Sequence, residues 1–138
     1  MDRHEKIDYV EFAASDMDAT KTFFTQVFGW SFTDYGPEYS DSPDGGIMTG
    51  FYKGDLKSTQ ENGGALVTFY SNNLEATLAE VTEAGGSVVK PIFDFPGGRR
   101  FQFTEPGGNE FAVWSDIALR NSRKNAFSAS TARGRKAP

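Results

Sequence analysis

The sequence of 138 residues contains no cysteine, and this absence removes several kinds of chemistry. Without thiols the chain has no disulfide framework, no thiol nucleophile and no zinc–thiolate site. It contains a single histidine, His4, in the polar N-terminal segment. Because the one histidine lies near the terminus, a Ser–His–Asp triad is not expected. A metal-ligand role would need partner ligands, so His4 is expected to be solvated.

Long apolar segments are also missing. No stretch of the chain approaches the ~20 consecutive apolar residues that a helix needs to cross a bilayer. The first six residues are mostly polar and charged, and no apolar signal region follows them. We therefore expect a cytoplasmic protein that has no membrane partner.

Acidic residues are absent beyond Asp116, and this divides the chain by charge. Up to that residue 19 Asp and Glu stand against 8 Lys and Arg, a net charge of −11, whereas residues 117–138 carry six basic residues and no acid, a net charge of +6. We expect residues 1–116 to form one domain and residues 117–138 to be a basic, flexible tail. Because the domain is acidic, nucleic acid is not expected as the main partner.

A strand–helix unit occurs twice in the chain, at a spacing of 57 residues. Several apolar and polar positions are identical between the two copies. The identical pairs are Val10/Val67, Phe12/Phe69, Ala19/Ala76, Thr20/Thr77, Thr25/Thr82 and Gly29/Gly86. Asp16 and Asn73 occupy matched positions, and both are good helix N-caps. The repeat predicts two similar modules.

The second half shows the order of elements most clearly. A strand at 65–70 is followed by a capped helix that ends at a glycine pair. Three further strands, joined by short Pro- and Gly-containing turns, follow at 88–95, 99–104 and 110–115. This half therefore predicts a βαβββ module.

The first half predicts the same order less clearly. Residues 36–45 contain two prolines and two glycines and predict a loop. The modules are expected to span about 6–54 and 64–116, with a polar linker between them. The predicted strands of the first half lie at 7–14, 30–34 and 46–53.

Three motifs of this chain resemble those of the vicinal oxygen chelate superfamily, which includes glyoxalase I, bleomycin-resistance proteins and extradiol dioxygenases. They are FFTQVFGW at 23–30, AGG at 84–86 and FTEPGGN at 103–109. The chain is most similar to small single-domain members described as related to lactoylglutathione lyase. The resemblance implies an α+β fold in which two βαβββ modules form a curved eight-stranded mixed sheet around a concave cavity, with the helices outside. It also implies a homodimer.

In metal-dependent relatives, the first and last strands of each module supply His, Gln or Glu ligands. Carried over by motif, these positions are Tyr9 and Gly50 in the first half and Leu66 and Ala112 in the second. Gly, Leu and Ala side chains have no donor atom, and a neutral phenol, with a pKa of about 10, is a poor ligand. We therefore expect no metal and no other cofactor, which argues against glyoxalase I and dioxygenase chemistry.

Strand alternation places Val10 and Phe12 under the helix and leaves Tyr9 and Glu11 on the opposite face. Partial burial makes a carboxylate a stronger base, so Glu11 is a candidate general base with Tyr9 as proton donor. The alternative is a structural carboxylate paired with an arginine or a tyrosine hydroxyl. The residues expected to line an aromatic, weakly polar cavity are Tyr9, Glu11, Gly50, Tyr52, Leu66, Thr68, Tyr70, Glu110, Ala112 and Trp114.

The sequence supports one leading hypothesis and three alternatives. The leading hypothesis is a glyoxalase-family protein that binds a small, aromatic or planar organic molecule in its cavity without a metal, for sequestration or resistance. One alternative is a lyase or isomerase that uses Glu11 as general base. Another is a metal-dependent glyoxalase-like or dioxygenase-like enzyme with relocated ligands, and the last is an interaction module whose concave face is closed by a partner chain.

Overall fold

The structure, a computed structural model, describes residues 2–117. Its first half comprises β1 (Tyr9–Ala14), α1 (Met17–Phe28), β2 (Thr33–Asp34), β3 (Tyr39–Ser42) and β4 (Met48–Lys53). Its second half comprises β5 (Val67–Tyr70), α2 (Leu74–Glu83), β6 (Ser87–Phe95), β7 (Gly98–Thr104) and β8 (Glu110–Ser115). No helix in this described part is long and apolar enough to cross a membrane. The predicted tail lies, apart from Ile117, outside the described residues.

Each module forms its own four-stranded mixed sheet. The strand orders are β1-β4-β3-β2 and β5-β8-β7-β6. In each sheet the first and last strands of the module run parallel, and the other neighbours are antiparallel. The predicted α+β class with two βαβββ modules is confirmed, and the hydrogen bonds divide the eight strands into two matched sheets. Pro91 lies in the edge strand β6, where the register with β7 shifts between Lys90 and Phe93.

Strand β3 corrects the prediction of a loop at 36–45. It pairs with β4 on one side and with β2 on the other. Its sequence, YSDS, lacks the apolar alternation that is typical of a strand. The polar side chains are nevertheless buried with partners, since Ser40 donates to Asp34 at 2.5 Å and Asp41 accepts from Tyr9 at 3.0 Å. Hydrogen bonds here take the place that apolar burial has in most strands.

The helix ends show how closely the two modules repeat each other. Asp16 and Asn73 cap the helices, and each side-chain oxygen accepts the backbone N–H three residues later at 3.1 Å. Helix α1 ends at Gly29, whose φ of 73° is left-handed. After the shorter α2 the left-handed residue is Gly85, with a φ of 100°, one position earlier in the repeat. Its neighbour Gly86 has no room for a side chain, because a Cβ would lie 2.7 Å from a valine methyl carbon.

One aromatic core joins the two modules. The ring of Phe28 in α1 stacks on Phe69 of β5, with centroids 4.2 Å apart and planes within 3°. Phe12 of β1 contacts Phe111 of β8 at 5.0 Å, and Phe24 of α1 contacts rings of both sheets. The two modules are therefore held together by a single hydrophobic cluster.

A buried polar bridge connects the turn before β8 to the first module. Asn109 is fully buried, donates through Nδ2 to the Ala13 carbonyl at 2.7 Å and accepts the Ser58 backbone N–H at 2.9 Å. Glu105, 1% exposed, accepts from the Thr20 hydroxyl at 2.8 Å and from backbone N–H groups of the turn. This turn therefore ties β8 to β1, to α1 and to the linker.

We expect Asn109→Ala to lower the free energy of unfolding by about 3 kcal/mol, because each buried partner left without a hydrogen bond costs ~1–3 kcal/mol. The matched control is Asn72→Ala, since Asn72 is exposed and has no side-chain hydrogen bond among residues 2–117. Urea denaturation followed by tryptophan fluorescence measures both variants. Equal stability of the two would contradict the role of the bridge.

Candidate functional site

Each sheet has one face against the shared core and one open face. Along β1, Phe12 is 5% exposed within the core, whereas Tyr9 on the opposite side is 40% exposed. Glu11 is also exposed, and the register with β4 places Gly50 beside it. Three of the residues that the sequence predicts for the site, Tyr9, Glu11 and Gly50, thus lie together on the open face of the first sheet.

Two tyrosines and two acids form a hydrogen-bonded chain on this face, which we call the acid–tyrosine cluster (Tyr9, Glu11, Tyr39 and Asp41). Tyr39 donates to Glu11 Oε2 at 2.8 Å, and its hydroxyl oxygen lies 2.5 Å from that of Tyr9. Tyr9 in turn donates to Asp41 Oδ2 at 3.0 Å. Glycine at position 50 makes room for this chain, because a Cβ there would overlap the Tyr39 hydroxyl.

The acid–tyrosine cluster has one proton fewer than it has contacts when both carboxyl groups are ionised. The phenols supply two protons, and donating both to Glu11 and Asp41 leaves none between the two hydroxyl oxygens. Desolvation, together with the hydrogen bonds to Tyr9 and Glu11, raises the pKa of Tyr39 well above its usual range. Desolvation and the hydrogen bond to Asp41 also raise the pKa of Tyr9. Both phenols therefore keep their protons at neutral pH.

The positions that hold metal in relatives do not fit a metal ion in this chain. The Tyr9 hydroxyl is already hydrogen-bonded on two sides, and a phenol hydroxyl fills the space beside Gly50. Leu66 and Ala112, the matching positions of the second module, have no donor atom. Among residues 2–117, no three His, Cys, Asp or Glu side chains are grouped so that they could hold an ion.

The open face of the second sheet has a different chemistry, and we call it the aromatic–arginine surface (Tyr70, Phe93, Phe95, Arg100 and Trp114). Tyr70 packs edge-on against Trp114 with ring centroids 5.3 Å apart, and Phe95 lies 6.2 Å from Trp114. The Arg100 guanidinium lies 5.3 Å from the Phe93 centroid and 5.8 Å from the Phe95 centroid. This surface therefore combines flat apolar rings with a positive charge.

The linker covers one end of this second sheet. Glu110 is 5% exposed and accepts from Gln102 Nε2 at 2.7 Å and from the Gln60 backbone N–H at 2.9 Å. Its own backbone N–H donates to the Ser58 carbonyl at 2.8 Å. Ala112, the cross-strand neighbour of Gln102, is fully buried. Glu110 and Ala112 are therefore closed off from solvent.

The predicted lining residues divide between the two sheets. Tyr9, Glu11, Gly50 and Tyr52 lie on the first sheet, and Thr68, Tyr70, Glu110, Ala112 and Trp114 lie on the second, with Leu66 just ahead of β5. Five members of the two surfaces were not predicted, namely Tyr39, Asp41, Phe93, Phe95 and Arg100. Tyr39 lies in the segment that was predicted to be a loop. Arg100 pairs with Trp114 across the β7–β8 hairpin, so counting back through the turn at 105–109 would have found it.

A cleft of about 320 Å³ lies between the modules and was not predicted. Its lining includes the aromatic rings of Phe28, Trp30 and Phe69. Thr68 and Tyr70 also line it. Tyr70 thus belongs to both the cleft and the aromatic–arginine surface, and the two adjoin along β5.

Solved structures with the same fold share little sequence with this chain. A glyoxalase-related enzyme from Fulvimarina pelagi is 15% identical, with a TM-score of 0.68 over 80% of this chain and 88% of that one. A glyoxalase/bleomycin resistance protein/dioxygenase family enzyme from Burkholderia phytofirmans PsJN is 17% identical, with a TM-score of 0.67 over 80% and 98% of the two chains. A genomically encoded fosfomycin resistance protein from Listeria monocytogenes is 15% identical, with a TM-score of 0.68 over 84% and 96%.

Sequence comparison is decisive for the family. No curated protein matches the chain. A family model does match, over residues 6–113, a range that includes both modules and nearly all of β8. The chain therefore belongs to the Glyoxalase/Bleomycin resistance protein/Dioxygenase superfamily.

Proposed function

We propose that this protein binds a small, planar organic molecule on the aromatic–arginine surface, without the metal that many relatives use. The observation that carries the proposal is the Tyr70–Trp114 pair, which presents aromatic surface on an open sheet face. Tyr70 is 47% exposed although it is a large ring, and Trp114 is only partly buried. Flat ligands stack on such rings, and an aromatic pair contributes ~0.5–1.5 kcal/mol beyond its buried area.

The Tyr70–Trp114 pair is held in place by neighbouring residues before any ligand binds. The Tyr70 hydroxyl donates to Asp116 at 2.6 Å, and this hydrogen bond raises the pKa of Tyr70. Phe95 supports Trp114 from the side, at 6.2 Å. Because these rings lose little freedom on binding, more of the stacking energy contributes to affinity.

The residues at the family's ligand positions support the metal-free part of the proposal. Tyr9, Gly50, Leu66 and Ala112 offer one phenol and no carboxylate or imidazole. A binding role without metal chemistry suits sequestration, in which the protein lowers the free concentration of a compound. The similar Listeria monocytogenes structure is a fosfomycin resistance protein, and a resistance role by sequestration is our proposal for this chain.

A thermal-shift screen with planar aromatic compounds tests the binding proposal. A ligand at about 100 times its dissociation constant adds ~2.7 kcal/mol, which for a domain of this size raises Tm by roughly 10 °C. We expect hits in the presence of EDTA, and we expect Trp114→Leu to lose the response. The control is Tyr35→Leu, since Tyr35 is 59% exposed and lies in the first module. A response that requires an added divalent ion, or one that survives Trp114→Leu unchanged, would overturn the proposal.

A second candidate function is proton transfer by Glu11, in a lyase or isomerase. The observation that favours it is the Tyr39 hydroxyl, which lies between Glu11 and Tyr9 and hydrogen-bonds to both. Glu11 would take a proton from a carbon acid, and Tyr9 would give the substrate's carbonyl oxygen the hydroxyl proton that it now donates to Asp41. Tyr39 would then pass its own proton to Tyr9 and take the one held by Glu11, which restores all three groups. The same contact also supports the structural alternative, in which Tyr39 merely holds the Glu11 carboxylate in position.

Deuterium exchange at carbon separates these two roles of Glu11. In D₂O, a general base accelerates exchange of protons next to the carbonyl of small ketones and aldehydes, which NMR detects. If Glu11 is the base, Glu11→Gln should slow this exchange by roughly 10²–10⁴-fold. Glu5→Gln is the control, because Glu5 is exposed near the N-terminus. If the substrate exchanges no faster with wild-type protein than with Glu11→Gln, Glu11 is not the base and its role is structural.

The raised pKa of Tyr39 predicts how stability depends on alkaline pH. The phenol stays protonated in the folded chain but ionises near pH ~10 in the unfolded chain. The stabilisation is therefore complete below pH ~10 and decreases as the pH rises further. We expect the free energy of unfolding to fall less steeply above pH 10 in Tyr39→Phe than in wild type. Identical slopes in urea denaturation at pH 9 to 11 would show that Tyr39 has an ordinary pKa.

A further inference from the structure

Arg100 is the one charged member of the aromatic–arginine surface, and its charge has no partner among residues 2–117. Its guanidinium lies over Phe93 and Phe95 but forms no hydrogen bond or ion pair with them. Within this described part its Nε atom is buried and has no hydrogen-bond partner, which is equally true of Arg99 Nε, so the two arginines differ only at their terminal nitrogens. The two acids on or beside this face are engaged elsewhere, since Glu110 accepts from Gln102 and Asp116 accepts from Tyr70.

The neighbouring Arg99 shows what a structural arginine looks like in the same strand. Arg99 points to the opposite side of β7 and binds Glu75 of α2 with both terminal nitrogens, at 2.6 and 3.3 Å. It is 9% exposed and its charge is compensated. The Arg100 guanidinium lies over two aromatic faces instead, and cation–π contacts supply ~0.5–2 kcal/mol without satisfying any N–H group.

The two rings hold the guanidinium in place and leave its donors unused. A planar guanidinium binds a carboxylate through two parallel N–H···O bonds, which are stronger than neutral hydrogen bonds. Lys90 adds a second positive charge near the same site, with Nζ 6.0 Å from the Phe93 centroid. The face therefore favours an anionic group next to its rings.

Trp114 lies at the right position for the rest of such a ligand. Arg100 and Trp114 are directly opposite each other in the β7–β8 register, and their side chains share the open face. We propose that the ligand is an aromatic carboxylate, with its ring on Trp114 and Tyr70 and its carboxylate bound by Arg100. This inference rests on the proposed binding function and adds the chemical class of the ligand.

Paired probes test the inference on the full-length chain. 2-Naphthoate and indole-3-carboxylate supply a ring with a carboxylate, and their primary amides supply the same rings without the charge. The chain has two tryptophans, so NMR shows two indole N–H signals, which Trp114→Phe assigns. Trp30 is 4% exposed in the core and serves as an internal control for folding. Titrations that follow the Trp114 signal give a dissociation constant for each probe.

We expect each carboxylate to bind about tenfold or more tightly than its amide, because a hydrogen bond to a charged group contributes ~1.5–3 kcal/mol. Arg100→Gln should abolish this preference, so that the acid and the amide of each pair bind with similar dissociation constants. Arg100→Lys should restore part of it, because lysine keeps the charge but loses the fork. Lys90→Gln controls for the general positive field and should retain most of the preference.

Four results would contradict the inference, and they are distinguishable. If wild type binds acids and amides equally, Arg100 does not bind the carboxylate, although the ligand can still stack on the aromatic rings. Equal effects of Lys90→Gln and Arg100→Gln would show a diffuse field in place of a specific contact. If no probe shifts the Trp114 signal, the proposed function itself is wrong. A fourth result is that Arg100→Gln leaves the preference intact but light scattering shows a monomer where wild type is a dimer. Arg100 would then bind an anionic group of a second copy of the chain and not the carboxylate of a ligand.

Discussion

The buried amide of Asn109 is the contact on which the arrangement of the two modules depends. It joins the carbonyl of Ala13 at the end of β1 to the linker, while Glu105 in the same turn holds Thr20 of α1. Ring pairs such as Phe28–Phe69 supply apolar contact between the modules, but rings tolerate sliding and rotation more readily than hydrogen bonds do. The polar bridge therefore fixes the register in which the shared core packs.

The two modules have the same backbone fold, but the side chains on their open faces differ. The first sheet presents two carboxylates linked by phenols, and the second presents rings around an arginine. Both surfaces occupy the side of the sheet that faces away from the helix, where side chains are released from the demands of core packing. The two modules thus share the N-caps and the apolar face, whereas their opposite faces differ in charge.

The sequence was informative where local rules decide the structure. Caps at Asp16 and Asn73 and the turn at 105–109 fixed the element order, since each rests on a few adjacent residues. Strand β3 was not predicted, because the burial of its polar side chains depends on partners in other strands, which no local pattern reveals. The alternation of side chains along each predicted strand shows which residues face away from the core. Tyr39 and Arg100 could not be placed in this way, because their positions depend on how their strands pair with the neighbouring strands. The cover that the linker places over Glu110 is a tertiary contact between distant segments, outside the reach of local signals.

The linker has a consequence for how the chain can be rearranged. Ser58 and Gln60 hydrogen-bond to Asn109 and Glu110, so the segment that connects the modules is also part of their joint packing. Opening the chain at this loop in a circular permutant would leave a buried carboxylate and a buried amide facing solvent-filled gaps. The β6–β7 turn at Pro96–Gly97 is exposed and makes no such contact with the linker. New termini introduced there should disturb the two-module architecture far less.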